Sequence, residues 1–208
     1  MALTRRQFRE RVLDSYGLPE ELPSWITSRW INTRINRRQR EVSELTEIIQ
    51  GTYTFTAAAS TRTYSVGTDF IRIMNVEADS NRRLDPTTQD IIEAEHGDDW
   101  RGETGSLSDW YIEDYRHIGL YPIPATAGSA LTLYGPRYAN NLANDTGASE
   151  IPTALEYAVV NGVCADIAAI DPAGKQKLGF FRGEYNADLG KFRQVRPFVV
   201  GTEFVGGR

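Results

Sequence analysis

Apolar residues in the first fifty positions recur at helical intervals. Ile31, Ile35, Val42, Leu45 and Ile49 follow one another at steps of four, seven, three and four, and Ile26 and Trp30 widen the stripe. This spacing predicts a long helix, capped by Ser24, whose one face packs on apolar neighbours. Ahead of it, Thr4 caps a shorter helix that runs to about Tyr16 and stops at Gly17, with Pro19 and Pro23 in the connector. On the polar side of the long helix, Arg37 faces Glu41 and Arg40 faces Glu44 at i,i+4, a solvated arrangement worth a few tenths of a kcal/mol per pair.

At Gly51 the spacing becomes that of strands. Thr52 to Thr56 alternates strictly, and Thr63 to Val66 answers it across a small-residue turn, which predicts a hairpin. Phe70 to Val76 reads as a third strand and Arg82 to Leu84 as a short return. Asp85-Pro86 then opens a helix from about Thr87 to Glu95. Beyond a loop rich in Gly and Asp, Trp110-Tyr111-Ile112, Ile118 to Tyr121 and Ala130 to Tyr134 form an antiparallel meander. Helical spacing returns at Ile151, where Leu155, Val159, Val163 and Ile167 descend by fours beside Ala158, Gly162 and Ala165, a stripe small enough for close helix packing. Asp171-Pro172 breaks that run. A last helix to about Val195 carries Leu178, Phe181, Tyr185, Leu189 and Phe192 on one side.

Helices at both ends with strands between them predict an α+β protein: an α-helical bundle from segments 1–50 and 151–196, an antiparallel β-module with one short helix inserted at 51–150, and an extended tail at 197–208. No run approaches the roughly 20 uncharged apolar residues of a membrane span, so a soluble protein is expected. Thr4-Arg5-Arg6-Gln7-Phe8 resembles a twin-arginine export signal, but Arg9, Glu10, Arg11 and Asp14 stand where an apolar segment should follow. The single cysteine, Cys164, excludes an internal disulfide framework.

Net charge is −5, unevenly spread: nine Arg against seven Asp and Glu in 1–50, seven against fifteen in 51–150, and seven Lys and Arg against six in 151–208. An acidic middle argues against tight nucleic-acid binding. Most basic residues are Arg, the side chain suited to bidentate pairing with carboxylates across interfaces. This favours Arg34, Arg37, Arg38 and Arg40 as subunit contacts.

No phosphate-binding glycine loop or nucleophile elbow is present. Glu93, Glu95, His96, Asp98 and Asp99 with His117 are the best metal candidates, but a second His would have to come from a distant segment, and a solvated acidic helix end is the simpler reading. Cys164 lies in the small apolar stripe, where a cysteine behaves as a buried hydrophobe. Trp110, Tyr111, Tyr115, Tyr121, Tyr134 and Tyr138 could stack on a sugar, but such residues are ordinary cross-strand pairs. The reading is therefore no enzyme: no catalytic residue, no metal and no cofactor.

One phrase carries a resemblance. Tyr111-Ile112-Glu113-Asp114, then Ile118 to Pro124, then Leu131-Thr132-Leu133-Tyr134-Gly135 resemble the sheet region of tailed-bacteriophage head-to-tail adaptor (connector, or head-completion) proteins, including those similar to podoviral tail tubular protein A. Arg83 to Pro86, Glu150-Ile151-Pro152 and the two final helices agree, so the likeness covers roughly residues 24–195. It implies a structural virion protein that forms a homo-oligomeric ring of about twelve subunits. Such a ring binds the portal protein above and a tail or nozzle protein below, passes genomic DNA transiently on ejection and touches no membrane. It is made in the host cytoplasm and resides at the head-to-tail interface. Apolar, β-prone Phe198, Val199, Val200, Phe204 and Val205 are then expected to dock on another chain, foremost the portal. A carbohydrate- or receptor-binding module of a phage tail, or a metal-dependent hydrolase, are the alternatives the residues leave open.

Overall fold

The computed structural model describes residues 2–19, 21–67, 69–79 and 82–195, with side chains as far as Phe192. In chain order the elements are α1 (Arg5–Tyr16), α2 (Ser28–Thr46), β1 (Gln50–Thr56), β2 (Thr63–Ser65), β3 (Asn75–Ala78), β4 (Arg82–Arg83), β5 (Asp85–Pro86), α3 (Gln89–His96), a 3-10 turn (Asp98–Gly102), β6 (Thr104–Gly105), β7 (Asp109–Asp114), β8 (His117–Tyr121), β9 (Ile123–Pro124), β10 (Ala130–Pro136), α4 (Thr153–Ile170) and α5 (Lys175–Val195). The fold is α+β. Met1–Thr46 with Ala139–Arg208 make one unit and Glu47–Tyr138 the other.

In the helical unit, α1 opens on a capping box between Thr4 and Gln7 and ends at Gly17, whose φ of 78° suits a residue without a Cβ. α2 starts later than its sequence suggests. The Ile26 amide closes a turn on the Pro23 carbonyl, and Thr27, not Ser24, accepts the Trp30 amide on its hydroxyl at 3.2 Å. Its buried face is Ile31, Ile35, Gln39, Val42, Ser43 and Thr46, while Leu45 is exposed. The three polar members are satisfied: Gln39 accepts from Ser149 Oγ at 2.7 Å, Ser43 Oγ accepts the Ala139 amide at 3.0 Å, and Thr46 donates to the Val42 carbonyl. Asn36 adds an acceptor for the Leu142 amide at 2.9 Å. Gln39, Ser43 and Asn36 thereby bond the connector 139–152, which has no strand beside it here.

α4 is long and apolar enough by length and composition to cross a membrane, yet most of it is buried, and it packs on α1, α2 and α5. The α2 to α4 contact turns on Arg38, whose Nε and Nη2 donate to Asp166 Oδ2 and Oδ1 at 3.1 and 2.5 Å. Its Nη1 donates to Glu41 at 2.7 Å, and its guanidinium lies 5.2 Å from the Tyr185 ring centroid. Tyr185 in turn donates to Glu41 at 2.9 Å, so one arginine links three helices. Gly162 leaves the room: a Cβ there would stand 2.9 Å from Arg38 Cδ. Phe181, Tyr185 and Leu189 of α5 are buried as its spacing predicts.

The second unit holds two four-stranded sheets, ordered β1-β10-β3-β4 and β2-β8-β7-β5, and a small β6-β9 pair. Val76, Ala78, Leu131 and Leu133 from the first sheet share a core with Trp110, Ile118 and Leu120 from the second. Successive strand residues face opposite ways, so Tyr111 leaves this core and joins Ile92, Trp100 and Tyr121 in a smaller cluster beneath α3 and the 3-10 turn. Gly119, directly opposite Tyr111, lets that ring lie across the neighbouring strand.

Four details depart from the sequence reading. β1 and β2 are no hairpin: β1 pairs with β10 and β2 with β8. The small-residue segment between them is held by Ala57 to Ser129 and Ser60 to Pro124 backbone bonds, which carry the chain from one sheet to the other. Residues 70–74 run irregularly beside β10, with the Arg72 carbonyl where a Cβ on Gly135 would be, and the third strand begins only at Asn75. Asp85-Pro86 pairs in parallel with β7, and Thr88 caps α3. β7 and β8 form the expected antiparallel pair, but β10 crosses to lie between β1 and β3 instead of continuing a meander.

Removing Arg38 strands the Asp166 carboxylate, whose side chain is only 17% exposed. Arg38→Met is expected to destabilise the helical unit by about 2–3 kcal/mol in denaturant titration, below the full cost of a deeply buried pair. Arg38→Met with Asp166→Leu should recover part of the loss, whereas equal stability of Arg38→Met and wild type would show that the pair contributes nothing.

Candidate functional site

Both histidines and Glu93 have structural partners. His96 ends α3 with Nδ1 3.7 Å from Glu103 Oε2 and its ring 4.9 Å from that of Tyr121, whose hydroxyl donates to the same oxygen. Glu93 faces Arg101 at 3.5 Å, while Glu95, Asp98 and Asp99 are exposed. His117, on β8, sits 2.9 Å from both carboxylate oxygens of Asp114, on the neighbouring strand end. Among the described residues no group of three or more His, Cys, Asp or Glu side chains is placed to hold a metal ion.

Cys164 is fully buried in α4, against the Val12 carbonyl at 3.7 Å. Burial pushes its thiol up to about 12, so no thiolate forms near neutral pH. The aromatic candidates do not make one platform. Trp110, Tyr111 and Tyr121 are buried, Tyr134 donates to Glu77, and Tyr115 stands at a turn, 83% exposed, under the Arg116 guanidinium. Tyr121 is pushed up to about 12, by burial first and then by its bond to Glu103, and remains a neutral donor.

The surface is more informative. Of the four candidate arginines, all on α2, Arg38 is spent inside its own unit, and Arg34 lies 4.8 Å over Trp30. Arg37 is exposed, and its expected partner Glu41 goes to Arg38 and Tyr185 instead. Arg40 is half-buried and has interactions within the chain. Tyr157 on α4 and Phe180 on α5 are 57% and 62% exposed, large apolar surfaces for a helical unit. Phe198, Val199, Val200, Phe204 and Val205 lie outside the described residues.

The profile of one family, SU10 adaptor protein, matches residues 3–201. The chain belongs to that family. No curated protein matches it. The adaptor is a structural component of a bacteriophage virion, placed at the head-to-tail junction and engaged in viral assembly with head and tail components. Sequence reasoning missed the polar buried row of α2 and the open edge of β1. The first carries no hydrophobic signal, and the second was hidden by an apparent partner in β2.

Acid sensitivity follows from three carboxylates held below their ordinary range: Asp145 by hydrogen bonds from Arg9 and Arg5, Asp171 by Tyr16 and the Ala173 amide, and Asp114 by the Arg116 amide and His117. A lowered folded value contributes stability above about pH 4 that is lost as pH falls through it. Asp145→Asn is therefore expected to lower the melting temperature at pH 7 and to flatten its decline as pH falls below about 4. A decline as steep as in wild type would remove Asp145 from the account. Substituting His96, His117 and Cys164 one at a time should leave assembly intact with modest loss of stability, as read by virion yield and thermal melts.

Proposed function

We propose that the adaptor forms a ring of about twelve copies between portal and tail, a conduit through which the genome passes on ejection. The family match over residues 3–201 carries this reading. Exposed Tyr157 and Phe180 support it, because a subunit flanked on both sides by copies of itself buries such surface only on assembly. In the proposed division of labour, the helical segments 1–50 and 151–196 contribute contacts between ring subunits and the inserted module 51–150, with seven Arg against fifteen Asp and Glu, carries the acidic surface that lines or rims the channel. A wall of that sign repels DNA and lets it slide. The tail from Phe198 to Val205 docks on another chain.

Arg34, Arg37 and Arg40 are proposed as contacts to acidic surfaces of a neighbouring subunit or the portal, whereas Arg38 is withdrawn from that set by its bonds to Asp166 and Glu41. The native mass of the adaptor with its portal tests the ring, and a single adaptor bound per portal assembly would overturn it. Charge reversal at Arg34 and Arg37 together should reduce ring or portal association and leave the thermal melt of the lone chain near that of wild type. Undiminished association in that variant would assign both residues to a plain solvated face.

A further inference from the structure

β1 is an edge strand of unusual openness. It is the end of the β1-β10-β3-β4 sheet, seven residues long, and Gln50, Thr52, Tyr53, Thr54 and Thr56 are all exposed. It carries no charge, no proline and no bulge in its register with β10, the devices that normally stop an edge from taking up another strand. Its direction of bonding can be worked out. Arg137 donates to the Ile49 carbonyl and Ala57 to the Ser129 carbonyl, both on the β10 side. By the alternation of an antiparallel ladder, Gly51, Tyr53 and Phe55 also bond towards β10. The amides and carbonyls of Gln50, Thr52, Thr54 and Thr56 point away from it, and no described backbone group bonds them.

The same chain carries another segment whose sequence has the spacing of a strand. After α5 and Pro197, Phe198 to Val205 alternates so that Phe198, Val200, Thr202 and Phe204 share one face and Val199, Gly201, Glu203 and Val205 the other. At about 3.3 Å per residue this segment matches the length of β1. Its aromatic face has a counterpart, because Tyr53, Phe55 and Tyr64 form a row with centroids 5.8 and 5.0 Å apart on one side of β1.

We propose that residues 198–205 of one copy add to the open edge of β1 in a second copy, as an extra strand of the β1-β10-β3-β4 sheet. Outward amides of Thr52, Thr54 and Thr56 gain backbone partners, and Phe198 and Phe204 extend the Tyr53-Phe55 row. The tail is thereby assigned to a sister copy and not to the portal. Repeated head to tail, the contact is heterologous, as closure of a ring of identical subunits requires. This inference rests on the ring reading and specifies one of its contacts.

The test uses two sets of full-length variants. Thr54→Pro removes an outward amide and leaves the β10 ladder whole, whereas Tyr53→Pro removes a ladder bond. Thr54→Pro is expected to keep the wild-type melting temperature and lose higher-order assembly in native mass measurements, and Tyr53→Pro to melt lower. Separately, Thr54→Cys and Glu203→Cys chains, whose substituted positions share the face opposite the aromatic row, are mixed and oxidised, and a disulfide-linked pair of chains is expected on a denaturing gel. Buried Cys164 does not compete. Assembly by wild type with no cross-link, or assembly undiminished by Thr54→Pro, overturns strand addition and leaves the ring standing. A wild type that stays monomeric with its portal present and gives no cross-link overturns both. A cross-link found only within a doubly substituted chain returns the tail to its own β1 and overturns the exchange between copies.

Discussion

A helix with apolar side chains on nearly every side has to be surrounded before it is stable in water, and α4 is such a helix. Leu155, Val159, Val163 and Ile167 bury one side, and Ala158, Cys164, Ala165 and Ala168 the others. No single neighbour can cover that much surface, so segments from both ends of the chain must come to it. α1 and α2 arrive from the N-terminal side, and α5 folds back from the C-terminal side. Small residues along α4 let them approach closely, and Arg38 fixes where α2 and α5 stop. Burial works against the Arg38 cation, but the hydrogen bonds and charges of Asp166 and Glu41 outweigh it and its pKa is raised. The pair therefore acts as a positional pin inside an otherwise apolar packing.

The same unit solves a second problem with side chains in place of strands. Residues 139–152 reach α4 from β10 without regular structure, and their backbone groups still need partners. α2 supplies Asn36 and Ser43, α1 supplies Arg5, whose Nη1 donates to the Leu142 and Ala143 carbonyls, and Asp145 is gripped by Arg5 and Arg9. Glu156, buried in the first turn of α4, accepts the Leu3 amide at 2.6 Å and holds the start of the chain to the same belt.

How far the sequence reveals this depends on the kind of signal. α4 and α5 stand about where the repeats of their apolar residues put them, and the α+β class follows from the change of period at Gly51. Strand pairing does not follow, because alternation gives a strand its two faces but not its neighbour. Thr52 to Thr56 and Thr63 to Val66 look like a hairpin from composition alone, and only the cross-links from Ala57 and Ser60 to distant residues send them to different sheets. Helix starts shift for a similar reason: Ser24 and Asp85 are good caps, yet Thr27 and Thr88 are better placed once Pro23 turns and Pro86 joins β7. Of the candidate site, the arginine-rich face of α2 was legible as composition. The inward use of Arg38 was not, since its carboxylate partner Asp166 lies 128 positions away.

The β-module has its two ends on a single rung. Gln50, where the chain enters the sheet, is the cross-strand partner of Pro136, where it leaves. Partners on such a rung lie about 5 Å apart, a gap that a turn of two or three residues could bridge. A whole module can thus be lengthened, replaced or removed between those two points without asking the helical unit to move its own termini.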